Sequence, residues 1–519
     1  MGLINAWKGF FTPGNQDVKA IAPRRRMYAG ANSGRLTSNW FAAATSADSE
    51  IKSSNKRLRQ RTRQTCRDNV YARQAQRSIV QNVIGTGVRI QCDVRKLRGG
   101  KLDTKINDTI EAAWKEWIRY DSCSASGRDS LDDMSRLIVK SLFESGEVFV
   151  RLIKRPFGRS KVPFALELLE SDQLDDDYEG TPSKTTSWRM GIERDAFQRA
   201  KRYAFFKKHP GDTPFPTPVG EKRHMILPAS EVIHLFIADR PGQTRGVSWL
   251  ASALQDLHHL SGFQEASVIR ARAASSLMGF ISSPEGELDP GGEVMDEERV
   301  SEFQPGVWKY LAPGETAHVP QLDAPSGEFE PFLRAMLRGL ASGCGVSYES
   351  VSRDFSQTNY SSSRLSLIED RDHYRTIQGF LQERFFQPVF DQWLELAVLG
   401  NTLDLPTFET EPDRFKRVRW LFRGWNYVDP QKEIQAAKEA VKAGFKTQAQ
   451  VVAESGGDLE ELMASRKREV DQAAQLNLAF DTNPASTPTK EEVSTVDEKV
   501  ESESNGGKKA RPGSADSDS

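Results

Sequence analysis

From Val247 to about Leu277 the sequence predicts a helix of roughly 30 residues, about 45 Å long at 1.5 Å per residue. Its apolar positions, Leu250, Leu254, Leu257, Leu260, Phe263, Ala266 and Ile269, advance mostly in steps of three. Those steps lag the 3.6-residue turn, so the apolar row winds around the axis instead of holding one stripe. A single partner face cannot cover such a helix. A closed ring, in which each copy touches two neighbours, supplies the faces it needs. The chain as a whole, 519 residues, has room for several domains or for one elaborate subunit.

The rest of the pattern is α+β, with helices grouped before strands. Residues 1–49 show little periodicity and read as an extended arm. Between Lys52 and Arg77 stand nine Lys or Arg residues and a single acid, Asp68, on a helix expected to stop at Gly85-Thr86-Gly87. An alternating strand, VRIQCDV, follows it. Ile106, Ile110, Ala113, Trp114 and Trp117 form one helical stripe, and Ser130 with Asp133 forms a capping box ahead of another helix. The period then changes to two: GEVFVRLIKR, FALELLE, WRMGIERD, RYAFFKKHPGD and EVIHLFIADR read as strands.

After the long helix comes an acidic insert, Glu285 to Glu302, with eight carboxylates against Arg299, flanked by MGFISS and VWKYLAP as short strands. A helix from Phe329 to about Leu340 leads to the polar stretch GCGVSYESVSRDFSQTNYSSSRL, Gly343–Leu365. Loops of this kind carry function while the scaffold carries stability. A further long helix runs from Ser361 to about Val398 and contains Pro388, which cannot donate to the carbonyl of Arg384, so a kink is expected near Gln387. Asp429-Pro430, Thr447 with Gln450, and Asp458 with Glu461 each announce a helix start. After about Phe480 the composition turns to Ser, Thr, Pro, Gly and charge, which predicts disorder.

Composition excludes several function classes. A formal charge of −1 argues against a simple DNA coat. Cys66, Cys92, Cys123 and Cys344 are far apart, so neither a disulfide framework nor a zinc site is expected, as suits a reducing cytoplasm. No leader pattern or apolar run approaching 18 residues is present, and Met1-Gly2 lacks the downstream hydroxyl residue of a myristoylation signal. Gly99-Gly100-Lys101 lacks the rest of a P-loop, and GxSxG, HExxH and SxxK are missing in any supporting context. His224, His234, His258 and His259 read as structural or surface histidines, and Asp175-Asp176-Asp177 as a solvated turn. A two-metal nuclease hidden among dispersed acids stays open at this stage. The Arg-rich helix 56–77 reads as a solvated face or as a contact for nucleic acid or an acidic neighbour, through Arg57, Arg59, Arg61, Arg63 and Arg67.

The stretch SRDFSQTNYSS together with RPGQTRGVSWLA resembles the lambda-type portal proteins of tailed bacteriophages. The blocks Asn55–Gln91, Gly191–Asp212, Glu231–Leu254 and Trp425–Glu433 are similar to the same family, over roughly residues 20–480. The resemblance implies a ring of about twelve copies at one capsid vertex, assembled in the host cytoplasm and carried in the virion, through which double-stranded DNA is pumped in and later ejected. It divides the chain into a wing (50–246), a first stem helix (247–277), a clip (278–327), a second stem helix (328–343), a channel loop (344–361), a kinked helix with wing return (362–428) and a helical crown (429–480), followed by a disordered tail (481–519). Arg353, Asp354, Gln357, Asn359, Tyr360 and Arg364 are then the channel-loop residues. Glu285, Glu287, Asp289, Glu293, Asp296, Glu297 and Glu298 are the clip residues that dock the terminase large subunit and later the head–tail adaptors. Major capsid and scaffolding proteins are further implied partners, and no cofactor, metal or enzymatic activity is implied.

A sliding channel should not be densely basic, because each neutralised phosphate adds salt-dependent affinity. A loop of Ser, Asn, Gln and Tyr, with Arg353 offset by Asp354, meets that requirement, and an acidic clip repels phosphate. The competing reading is a phage DNA-binding protein or metal-dependent nuclease built on the Arg-rich helix 56–77.

Overall fold

The computed structural model describes residues 43–97, 100–212, 223–275, 280–282, 293–295, 298–300, 316–318, 329–425 and 429–476, with single positions at 35, 327 and 478. Most of the expected arm, most of the acidic insert and the tail 481–519 therefore lie outside the described residues. Helix and sheet are mixed, as the periodicity required. No described helix is long and apolar enough to cross a membrane.

The basic region is two helices, Ala47–Asp68 and Val70–Val83, divided at Asn69, whose side chain caps the second by accepting from Tyr71 and Ala72 N–H. Thr104–Trp117 and Leu131–Ser145 follow, the latter opened by the reciprocal Ser130–Asp133 box and closed by Gly146 at φ +80°. Gly146 must be glycine twice over: its φ is left-handed, and a Cβ there would lie 2.1 Å from the Val247 carbonyl carbon.

Glu147–Ile153 is the centre of a three-stranded antiparallel sheet, between Ala165–Leu169 and Val232–Phe236. A five-stranded antiparallel sheet has its first strand at Gly180–Ser183 and its last at His224–Pro228. Here WRMGIERD is two strands, Thr186–Arg189 and Ile192–Asp195, joined by a tight turn at Met190 (φ +46°) and Gly191 (φ +81°). Left-handed φ at both central residues matches the right-handed twist of a hairpin, and the strand alternation across that turn disguises it in the sequence. Gly180–Ser183 and His224–Pro228 add strands that the pattern does not announce.

The long helix begins at Leu254, seven residues after the expected start, and runs to Ser275. The reason is Ser248. Its hydroxyl bonds the Phe143 carbonyl and accepts from Leu250 N–H, and turns at Ala251 and Ala253 fill the interval. Leu254, Leu257 and Leu260 are buried, while Val268 and Ile269 are 50% and 57% exposed. Phe263 stacks on Phe329 and meets Phe332 at a tilt, both on the helix Phe329–Cys344, so these two helices run in contact.

The Pro388 helix shows how a missing donor is absorbed. Tyr360–Leu381 passes into a π turn, Gln382–Phe386, and continues as Gln387–Leu399. Gln387 N–H reaches the Gln382 carbonyl five residues back, widening the ladder just before the proline. Behind this helix sits an aromatic core. Trp114 packs edge-on against Trp393 at 5.0 Å and Phe390 at 5.3 Å, and Trp117 stacks on Phe164 at 5.5 Å. Such pairs add about 0.5–1.5 kcal/mol each beyond their buried area. The strand Val418–Leu421 then pairs antiparallel with Arg89–Cys92, tying the late chain to the early chain. Pro430–Lys442, Gln448–Glu454 and Leu459–Gln475 complete the fold, and none of these three helices buries a residue. Of the announced starts, Thr447–Gln450 is a reciprocal box, while Asp458 only accepts, from Glu460 and Glu461 N–H.

All four cysteines are free and buried. Burial pushes the thiols of Cys66, Cys123 and Cys344 up to about 12, which keeps them protonated and unreactive at neutral pH.

Candidate functional site

The polar stretch is held from both ends. Ser347 caps a short helix, Tyr348–Ser352, that the sequence pattern does not foresee inside the loop. The buried Asp370, on the following long helix, accepts from Ser347 N–H at 2.7 Å, Ser347 Oγ at 2.7 Å and Ser350 Oγ at 2.8 Å. Asp370→Ala removes all three bonds and leaves a part-buried N–H without its acceptor, which costs about 1–3 kcal/mol. The expected result is faster amide exchange over Ser347–Asp354 with unchanged exchange in the Trp114 core, read by hydrogen–deuterium exchange; uniform protection would show that Asp370 does not anchor the loop.

Arg353 ends the short helix in the left-handed region at φ +59° and is exposed. It is not offset by Asp354, contrary to expectation. Asp354 accepts instead from Tyr348 Oη at 3.0 Å and from Ser356 N–H and Oγ at 3.0 and 2.6 Å, and Arg334 stands 3.8 Å away. The Ser356 hydroxyl and N–H, with Tyr348, hold this carboxyl below its usual range. Arg334, from the helix before the loop, also donates to Gln357 Oε1 and pairs with Glu330. Asn359 Oδ1 accepts from Ser362 N–H at 2.9 Å and so caps the long helix, which starts at Tyr360. Arg364 lies 3.8 Å from Glu433, linking that helix to Pro430–Lys442. The loop therefore brings Asp354 and Gln357 together around Arg334, and leaves Arg353 and Phe355 (59% exposed) outward. Phe355 was not singled out by sequence reasoning, although an aromatic in so polar a run is the signal that marks it.

The clip residues Glu285, Glu287, Asp289, Asp296 and Glu297 lie outside the described residues. Glu293 and Glu298 fall in a hairpin, Glu293–Met295 with Glu298–Val300. Phe280–Ser282 pairs with Thr316–His318, while the other expected flanking strand, VWKYLAP, is outside the described residues.

The basic helix divides, and Arg59 corrects the expectation of a uniformly solvated face. Arg59 is 1% exposed and belongs to a buried ionic network. Its Nε bonds Asp172 at 3.0 Å and its Nη2 bonds Asp176 at 2.6 Å, while Arg63 shares Asp172. Arg245, also fully buried, meets Glu147 at 2.6 Å, Asp176, and the carbonyls of Met190 and Ser171. Glu147 further accepts from His234 Nε2 at 3.0 Å and Gly246 N–H at 2.9 Å. Burial alone would raise the Glu147 carboxyl; Arg245 and the His234 bond outweigh it and hold it well below the usual range. Asp176 is thus not a solvated turn residue, and Asp175 meets His224 at 2.7 Å. Arg245 is the arginine of RPGQTRGVSWLA, so that string closes a structural junction between the first helix, the central strand and the start of the long helix. Of the remaining candidates, Arg57 and Arg61 are exposed and Arg67 lies against Asp68.

Glu170, Asp172 and His209 bring possible ligand atoms within 4.8 Å of one another. Asp172 already pairs with Arg59 and Arg63, and Glu170 stands 3.5 Å from Arg63, so both carboxylates already face guanidinium groups.

Residues 33–378 match the family model described as phage portal protein, lambda family. The chain is 30% identical to a probable portal protein of Halomonas phage phiHAP-1 over 476 residues, covering 88% of this chain and 90% of that protein. It is 24% identical to portal protein B of Escherichia phage lambda, covering 85% of this chain and 88% of that one. Among solved structures, a chain of the neck of an empty gene transfer agent particle aligns at TM-score 0.42 and 12% identity, over 82% of this chain and 99% of that one, a likeness too low to carry any feature over.

Proposed function

The chain belongs to the lambda family of phage portal proteins, and from that premise we propose that it assembles as a ring of about twelve copies around a DNA channel at one capsid vertex. DNA enters through this channel during packaging and leaves through it at ejection. The paired helices Leu254–Ser275 and Phe329–Cys344 are its stem, the region 278–327 its clip, and the helices after Asp429 its crown. The clip docks the terminase motor and later the head–tail adaptors, and the wing meets capsid and scaffolding proteins. The protein acts as a conduit and not as an enzyme.

One observation carries the ring. Val268 and Ile269, on the outer half of the stem helix, and Ile434, Leu462 and Met463, on the crown helices, are each half exposed or more in the single chain. Neighbouring copies on both flanks cover such positions, as closed cyclic symmetry provides. Native mass measurement at micromolar concentration is expected to show a large closed oligomer, and Ile269→Asp to reduce it to smaller species with the melting temperature of the subunit retained. A chain that stays monomeric as concentration and salt rise overturns the reading.

A further inference from the structure

Of the nine basic side chains between Lys52 and Arg77, Arg73 and Arg77 lie on the second helix, and the seven on Ala47–Asp68 sort by what they touch. Lys52 pairs with Glu179, Arg59 and Arg63 with Asp172, and Arg67 with Asp68. Lys56, Arg57 and Arg61 are exposed and have no ion-pair partner among the described residues. On a helix of 3.6 residues per turn these three, with the exposed Gln60 and Gln64, fall within an arc of about 140°. The opposite side of the same helix carries Asn55, Arg59, Thr62 and Cys66, all buried. No Asp or Glu occurs between Glu50 and Asp68.

We propose that this ridge is a second nucleic-acid contact, separate from the channel loop, which takes the phosphate backbone of duplex DNA without regard to sequence. Arg, Lys and Gln are the side chains that contact phosphate oxygens and fix position on a duplex. The ridge exposes no aromatic ring on which an unpaired base could stack, which selects backbone over base. It exposes no large apolar side chain between Lys56 and Gln64, so it lacks the apolar centre of a protein–protein interface. It is also rigid. Asn55 donates to the Gly246 carbonyl, Asp48 accepts from Thr244, and Arg59 and Arg63 are fixed below, so little backbone order remains to be lost on binding. The overall charge of −1 makes the ridge a local feature and not a basic coat.

The test uses the full chain and a labelled random-sequence duplex, with binding followed by anisotropy across a salt series. The triple variant Lys56→Gln, Arg57→Gln, Arg61→Gln is expected to lose at least tenfold in affinity at low salt. The slope of log K against log salt should fall by about 2.7, or 0.9 per lost phosphate contact. Lys184→Gln, an exposed lysine in the turn between Gly180–Ser183 and Thr186–Arg189, should leave that slope unchanged, which shows that the loss belongs to the ridge and not to surface charge in general. Equal affinity and slope for the triple variant overturn the proposal, as does a wild-type chain that does not bind duplex at low salt. A triple variant whose assembled mass changes also overturns it, by showing that the ridge seats against a neighbouring copy.

Discussion

Replacing Arg245 by alanine is expected to destabilise the subunit by about 3–5 kcal/mol, the cost of leaving a buried charge without its partner. Glu147, 0% exposed, loses its closest cation and keeps His234, the Ser171 hydroxyl, Gly246 N–H and, more distantly, Arg59 at 3.9 Å. The pH dependence identifies the cause. In the wild type the Glu147 carboxyl sits well below its ordinary value of 4.5, so its contribution is fully present above that value and is lost as pH falls further. In the variant, burial prevails and the carboxyl rises above its ordinary value, so lowering the pH through that raised value restores stability. The gap between the two proteins should be widest near neutrality and narrow as pH falls toward about 4.5. Adding Glu147→Gln to Arg245→Ala should recover part of the loss by removing the stranded charge. Denaturant midpoints across pH measure both effects. A gap that is constant with pH would show that Glu147 is not the group left unpaired.

That network also marks where the sequence stops being readable. Apolar periodicity located the Trp114 and Trp117 stripe and the Ser130 box, because there the buried face is apolar or the cap is local. The helix Ala47–Asp68 buries Asn55, Arg59 and Thr62, and a polar buried face has no signature in a hydrophobic pattern. Its carboxylates come from Glu147, Asp172 and Asp176, far along the chain. In retrospect the spacing of Arg59 with Arg63, and of Asp172 with Asp176, is a trace of the pairing, but only the fold chooses the partners. The polar loop is a similar case. Its limits were legible from Gly345 and from the helix after Asn359, whereas its anchor, Asp370, reads as one more exposed acid on a long helix. Pro388 was legible as a disturbance, and the π turn shows the form it takes, a ladder opened by one residue in place of a sharp bend.

The loop yields the second large effect, loss of DNA passage on Phe355→Lys. Lysines at Gln357 or Asn359 would confuse the result, because Gln357 holds Arg334 and Asn359 caps the following helix, a bond worth about 1 kcal/mol. Phe355 has neither duty and is 59% exposed, so its replacement should move stability by no more than about 0.5 kcal/mol and leave assembly intact. If the loop faces the channel, one added ammonium per copy is repeated around the ring and grips successive phosphates. Each contact adds about 0.9 to the slope of log affinity against log salt, so packaging should slow sharply at low salt. Raising ionic strength shortens the screening length, about 10 Å at 0.1 M and 3 Å at 1 M, and should restore part of the rate. Packaging assays with the purified motor across a salt series read this directly, beside Phe355→Ser as the uncharged control. A Phe355→Lys ring that folds, assembles and packages at the wild-type rate in low salt would mean that the loop does not meet DNA, and the channel would then have to be lined by another part of the chain.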